Sequence, residues 1–145
     1  MFMFDKEEFK RLNVERDKII DNEVLLDIAW QNTINYVCQD NETFKGFVDY
    51  MKIEMTGDEY VNLSEISDDL SAIHPSLDFI EAYKALATKY PKETKEYHIA
   101  VFIEDAEGMV NYFLEDEEAR VRRLKEWYPY DPDFIAPYLT KKYTK

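Results

Sequence analysis

The chain is short of the residues that build phosphate and metal sites: of 145 residues, three are glycine (Gly46, Gly57, Gly108), one is cysteine (Cys38) and two are histidine (His74, His98). Glycines this far apart cannot form a loop whose backbone N–H groups converge on phosphate oxygens, which excludes Walker and dinucleotide fingerprints. One cysteine and two distant histidines make no zinc motif. A lone cysteine also allows no intramolecular disulfide, which favours a reducing compartment, the cytoplasm. No cofactor is implied.

Long apolar runs are missing too. Met1-Phe2-Met3-Phe4 is followed at once by Asp5, Glu7 and Glu8, so neither a basic leader nor a signal-length apolar stretch is present. Nothing approaches the roughly 18 to 20 apolar residues of a membrane span. Repeats, low-complexity tracts and Gly/Ser linkers are absent, and the length suits one domain, 1–145, with a proline- and aromatic-rich C-terminal segment from about 128. A chain of this size buries roughly two thirds of its unfolded surface, enough for a core without staples.

What the chain has is aromatic mass and negative charge. Eleven Tyr, nine Phe and two Trp set it apart from acidic disordered sequences. The net charge is −13, and residues 21–70 carry twelve Asp or Glu against two Lys. From residue 119 the balance reverses, with Arg120, Arg122, Arg123, Lys125, Lys141, Lys142 and Lys145 outnumbering Glu126, Asp131 and Asp133. Such a molecule repels nucleic acid and anionic lipid and attracts basic proteins.

Apolar spacing predicts helices over most of the chain. Asp5 caps one running to about Ile20 on a thin stripe of Phe9, Leu12, Ile19 and Ile20, with Glu8 placed for a capping box. A second runs from about Asn22 to Cys38 on Leu26, Trp30, Ile34, Val37 and Cys38. A third ends near Met55 on Phe44, Phe47, Val48 and Met51, with Gly57 as its stop. Short connections predict that these three form a small bundle. A short or distorted helix follows around Tyr60–Leu70. Another spans Phe79, Ile80, Tyr83 and Leu86 and is closed by Pro91. Asp116 opens a helix to Trp127 with Val121, Leu124 and Trp127 inward and Arg120, Arg122, Arg123 and Lys125 outward. Asp131 before Pro132 can open one last turn.

The segment that decides the fold class is 97–114. Tyr97, Ile99, Val101 and Ile103 alternate with His98, Ala100 and Phe102, and Asp105-Ala106-Glu107-Gly108 suits a hairpin turn with Gly108 in the left-handed position. The reading is therefore α+β, predominantly helical, with a β-hairpin at 97–114; the alternative is a buried helix there and an all-α fold.

Candidate chemistry is sparse. On a strand, Glu96 and His98 would share a face, the arrangement in which a carboxylate orients an imidazole for acid–base work, although a structural histidine explains the same residues. His74, before Pro75, reads as a turn residue. Cys38 lies on an apolar stripe and reads as an inert core thiol. Glu104-Asp105-Ala106-Glu107 and Glu115–Glu118 are dense in carboxylates but lack the ligand pattern of a calcium loop, so no metal site is assigned.

The functional content lies in the acidic middle. Asp40, Glu42, Asp49, Glu54, Asp58, Glu59, Glu65, Asp68 and Asp69 are predicted on polar faces, where mutual repulsion costs stability unless a cationic partner relieves it. Trp127, Tyr128 and Tyr130 in the tail suit an interface anchor, or a strap that closes the core. The expected function is a protein-binding inhibitor of the immunity-protein, antitoxin or DNA-mimic type. Its partner would be a nuclease, toxin or DNA-binding protein with a basic surface. The alternative is a small enzyme acting on a cationic or metal-bound substrate through a carboxylate/His site, and a purely solubilising acidic surface remains the plain explanation.

Overall fold

A computed structural model describes residues 3–19 and 21–144. Ten helices make up the secondary structure among these residues: α1 Lys6–Lys18, α2 Glu23–Val37, α3 Asn41–Ile53, α4 Gly57–Ser64, α5 Ser67–Ile73, α6 Leu77–Lys89, α7 Pro91–Glu96, α8 Ile99–Glu115, α9 Glu117–Trp127 and α10 Pro132–Leu139. Six begin on a side-chain cap. Asp5, Asn22, Asp40, Thr56, Ser76 and Asp116 each accept a backbone N–H from the first turn of the helix they precede, an interaction worth about 1 kcal/mol apiece. The capping box expected at Glu8 does not form, since Asp5 accepts from Glu7 instead. One forms at Thr56 and Glu59. Gly57, expected to stop α3, is the first residue of α4, and Pro91, expected to close α6, is the first residue of α7.

The hairpin expected at 97–114 is overturned. These residues are almost wholly the single helix α8, so the described chain is all-α. Ile99, Ile103, Ala106, Val110 and Phe113 are all buried, and their spacings of four, three, four and three make one helical face. The alternation at its start is real, but the residues facing the other way, Val101 and Phe102, are exposed. Gly108 takes no left-handed turn; a Cβ added there meets only open space. The sharp reversal sits earlier, at His98, whose φ of 55° makes it the one described non-glycine residue in the left-handed region.

The three N-terminal helices pack on one another, as their short connections predict: α1 lies along α2, α2 meets α3, and Phe9 of α1 meets Phe47 and Tyr50 of α3 at 5.3 and 5.6 Å between ring centroids. They are not separate from the rest, since α3 also rests on α6. There α8 packs its one buried face against α4, α5, α6, α7 and α9. One cluster of buried side chains runs from Phe9 through Phe47, Met51, Tyr60, Ile73, Tyr83 and Val110 to Ile135 and Tyr138. Gly46 permits a close approach at its edge: a Cβ there would lie 2.5 Å from that of Phe4, whose ring meets Phe9, Tyr36, Phe47 and Tyr50. Ile20, expected on the stripe of α1, the opening Met1-Phe2 and the terminal Lys145 lie outside the described residues.

Candidate functional site: an acidic groove walled by aromatics

Five of the nine acids expected on a binding face are committed to the fold. Asp40 caps α3, accepting from Thr43 N at 2.7 Å. Glu54 pairs with Lys6 at 3.0 Å. Glu59 is buried and accepts from the Tyr50 hydroxyl at 2.6 Å, Thr56 N at 3.0 Å and Lys10 at 3.5 Å. Glu65 takes both of its hydrogen bonds from Arg16 Nη2, at 2.5 and 2.6 Å. Asp69 accepts from the Tyr128 hydroxyl. Glu42, Asp49 and Asp58 are exposed, with no ion pair among the described residues, and sit on separate stretches of α3 and α4. Asp58 and Glu65 share a polar groove of about 560 Å³ with Asp17, Glu93 and Glu96, but Arg16 and Lys92 line it too.

The remaining acid, Asp68, lies where charge is left uncompensated. Its Oδ1 is shielded from solvent and accepts no hydrogen bond. Burial, and then the like charge of Asp105 on α8, raise its pKa from the ordinary aspartate value. Asp68, Glu104 and Asp105 line a groove of about 480 Å³ between α5, α8 and α9, with Met109, Tyr112, Phe113 and Trp127 as apolar walls. Arg123 also lines it, yet its guanidinium stands over the rings of Phe113 and Trp127, at 5.7 and 5.5 Å, and forms no ion pair among the described residues.

Negative charge continues past this groove. The Tyr128 hydroxyl is held protonated by burial and by the charges of Asp69, Asp131 and Asp27. Acids from α2, α5 and the α9–α10 connection therefore act on the Tyr128 hydroxyl, and Asp105 of α8 acts on Asp68. The two sets expected separately from sequence, the end of the acidic middle and the start of the aromatic tail, meet here. Their roles differ, however. Tyr128 is tied to Asp69 and packs edge-on against Phe134, with ring centroids 5.2 Å apart, whereas Trp127 is partly exposed and Tyr130 is 93% exposed.

The tail beyond Tyr130 is a strap. Phe134, Ile135 and Tyr138 are buried, and the Tyr138 hydroxyl donates to Asn35 Oδ1 at 2.6 Å. Arg120, expected to point outward, is wholly buried beneath it. Its guanidinium donates to the carbonyls of Ala72, Ile73, Tyr138 and Lys141 and to Glu117, and stacks 5.0 Å from the Tyr143 ring. Helical position alone could have placed it inside, since Arg120 lies one turn before the buried Leu124.

The other candidate groups do not assemble into a site. His98 is exposed at the entry to α8, and Glu96 lines the groove near Arg16, which His98 does not reach. Cys38 is fully buried, and burial pushes its thiol far above the range in which it ionises. His74 stacks on Phe44 with ring centroids 3.7 Å apart; burial, with Lys141 and Arg120 near, lowers its pKa to about 4. Among the described residues no group of three or more His, Cys, Asp or Glu is arranged to hold a metal ion, and no helix is long and apolar enough to cross a membrane. No family model, curated protein or solved structure matches the chain.

Proposed function

We propose that the chain is a small acidic protein-binding module of the inhibitor type, which docks on the basic surface of a nuclease, toxin or DNA-binding protein and makes no direct contact with nucleic acid. The observation that carries this reading is Asp68, a half-buried carboxylate with an unfilled acceptor, facing Asp105 beside exposed Trp127 and Tyr112. Like charges held together without an ion pair destabilise the isolated protein, and a partner's cations relieve that cost on binding. Exposed aromatic rings next to the charge supply the desolvated contact area that charge alone lacks. A face of this kind, seated in a basic cleft, excludes a phosphate backbone by occupying its counter-charges.

The test is capture of a partner on the immobilised protein at low ionic strength and again at about 0.5 M salt, where the screening length falls to a few ångströms. A basic protein retained at one-to-one stoichiometry, released by salt and lost on Asp68→Lys with Asp105→Lys, supports the reading. Retention of the same protein by the doubly reversed chain would refute it.

A further inference from the structure

We infer that residues 140–144 are an acid-released latch: uptake of a proton by His74 lifts this segment off the body and uncovers the Cys38 thiol.

The latch is fastened by few contacts. Arg120 Nη2 donates to the Lys141 carbonyl at 2.7 Å, and Lys141 Nζ lies 3.4 and 3.5 Å from the carbonyls of Cys38 and Gln39. The Tyr143 ring packs 4.5 Å from the His74 ring and 5.0 Å from the Arg120 guanidinium, and its hydroxyl is buried without a partner. The segment lies beyond the end of α10 and is not helical, so it adds no ladder of backbone bonds. Segments held this way open at a lower free energy than the core. Cys38 is wholly buried, close enough to Tyr138, Lys141 and Tyr143 for their charges to act on one another.

His74 beneath the latch is housed as a neutral ring. It is 9% exposed, stacked on Phe44 at 3.7 Å between centroids and faced by Tyr143 on the latch. Nε2 lies 3.3 Å from Asn41 Oδ1, but Nδ1 is buried without a partner. An imidazolium donates from both nitrogens, so one of its N–H groups would be buried unsatisfied.

The surrounding charges act in the same direction. Lys141 on the latch and Arg120 on α9 both disfavour the imidazolium, and α3 faces the ring with the uncharged Asn41 and Phe44. Lys142 and Asp78 of α6 line the hollow of about 420 Å³ beside His74, and Glu117 is turned to Arg120 at 2.8 Å. Among the described residues neither acid pairs with His74. Opening hydrates the imidazole and parts it from Lys141, so a proton on His74 favours the open form. With a closed-state value of about 4 and an ordinary value of 6.5 once opened, the opening equilibrium rises roughly twentyfold between pH 7 and pH 5.

The experiment uses Cys38, the one cysteine of the chain, as its probe. The full chain is exposed to a dipyridyl disulfide, which reacts with thiols in mild acid, at pH 7, 6 and 5. Each rate is divided by that of the urea-denatured chain at the same pH. Amide hydrogen exchange at Ile103 and Val110 of α8 measures global unfolding under the same conditions. Normalised labelling should rise at least tenfold from pH 7 to pH 5, and at pH 5 the open population should exceed the globally unfolded one at least tenfold. His74→Gln should reduce the rise to less than threefold. Flat labelling in the wild type, or an open population equal to the unfolded one, overturns the latch even if the variant fails to fold. An undiminished rise in folded His74→Gln overturns His74 as its trigger.

Discussion

Arg120 Nη2 donates to the backbone carbonyl of Tyr138 at 2.6 Å, so a wholly buried cation in α9 ties down the C-terminal strap. Its Nη1 donates to the carbonyls of Ala72 and Ile73 at the end of α5, which makes it the junction of three elements. Arg120→Met leaves those carbonyls unpaired and is predicted to cost about 3–5 kcal/mol. Thermal unfolding should move down by roughly 10 °C. Truncation after Lys125, which strips Phe134, Ile135 and Tyr138 from the core, should yield aggregation, with no folded fragment left to bind a partner.

Glu59 gives a second prediction, because it separates acidity from availability. Glu59→Gln keeps the shape but removes the charge that meets Tyr50, Thr56 and Lys10, and it should destabilise the protein by about 1–2 kcal/mol in a denaturant titration. Partner affinity should be unchanged, since the side chain is buried.

The fold class was the least legible feature of the sequence, and the reason is local. Residues 97–103 place apolar side chains on both sides of any element, so a period of two and a period of 3.6 fit equally well over seven residues. Only the continuation through Ala106, Val110 and Phe113 separates them, and Gly108, read as a turn, interrupts that continuation by eye but not in space. Capped helices with long stripes, α3 and α6, were readable because cap and period agreed. The candidate groove was half legible: the sequence pointed to Asp68 and Trp127 but not to Asp105, Met109 or Tyr112, which only a helical α8 brings beside them. Charge density alone could not show that Glu54, Glu65 and Asp69 have partners, as Lys6, Arg16 and Tyr128 lie 48, 49 and 59 residues away.

Asp68 should carry a stability cost at neutral pH. Its pKa is raised above the ordinary 3.8 by burial and by Asp105, so the native state binds this proton more readily than the unfolded chain. Its contribution is favourable below pH 3.8 and is lost as pH rises through the higher native value. Asp68→Asn should therefore raise the melting temperature at pH 7 by about 1–2 °C, on the order of 0.5 kcal/mol after solvent screening. The gain should vanish in a scan repeated below pH 3.8.

His74 acts in the opposite direction. Its native pKa of about 4 lies below the ordinary 6.5, because burial and the nearby Lys141 and Arg120 disfavour the imidazolium. Stability from this residue is complete above pH 6.5 and is lost as pH falls towards 4, by roughly 2–3 kcal/mol over that interval. Comparing denaturant midpoints of the wild type and His74→Gln across pH 7 to 4 isolates the effect. The wild type should show the steeper decline.

The most direct test of acidic docking is the dissociation constant of the captured basic partner for three forms of the protein at two salt concentrations: wild type, Asp68→Asn with Asp105→Asn, and Glu42→Gln with Asp49→Asn. The groove pair should weaken binding at least tenfold at low salt and flatten its salt dependence, while the pair on α3 should change it by less than threefold. Equal losses from the two pairs, or no loss from the groove pair, would contradict the account.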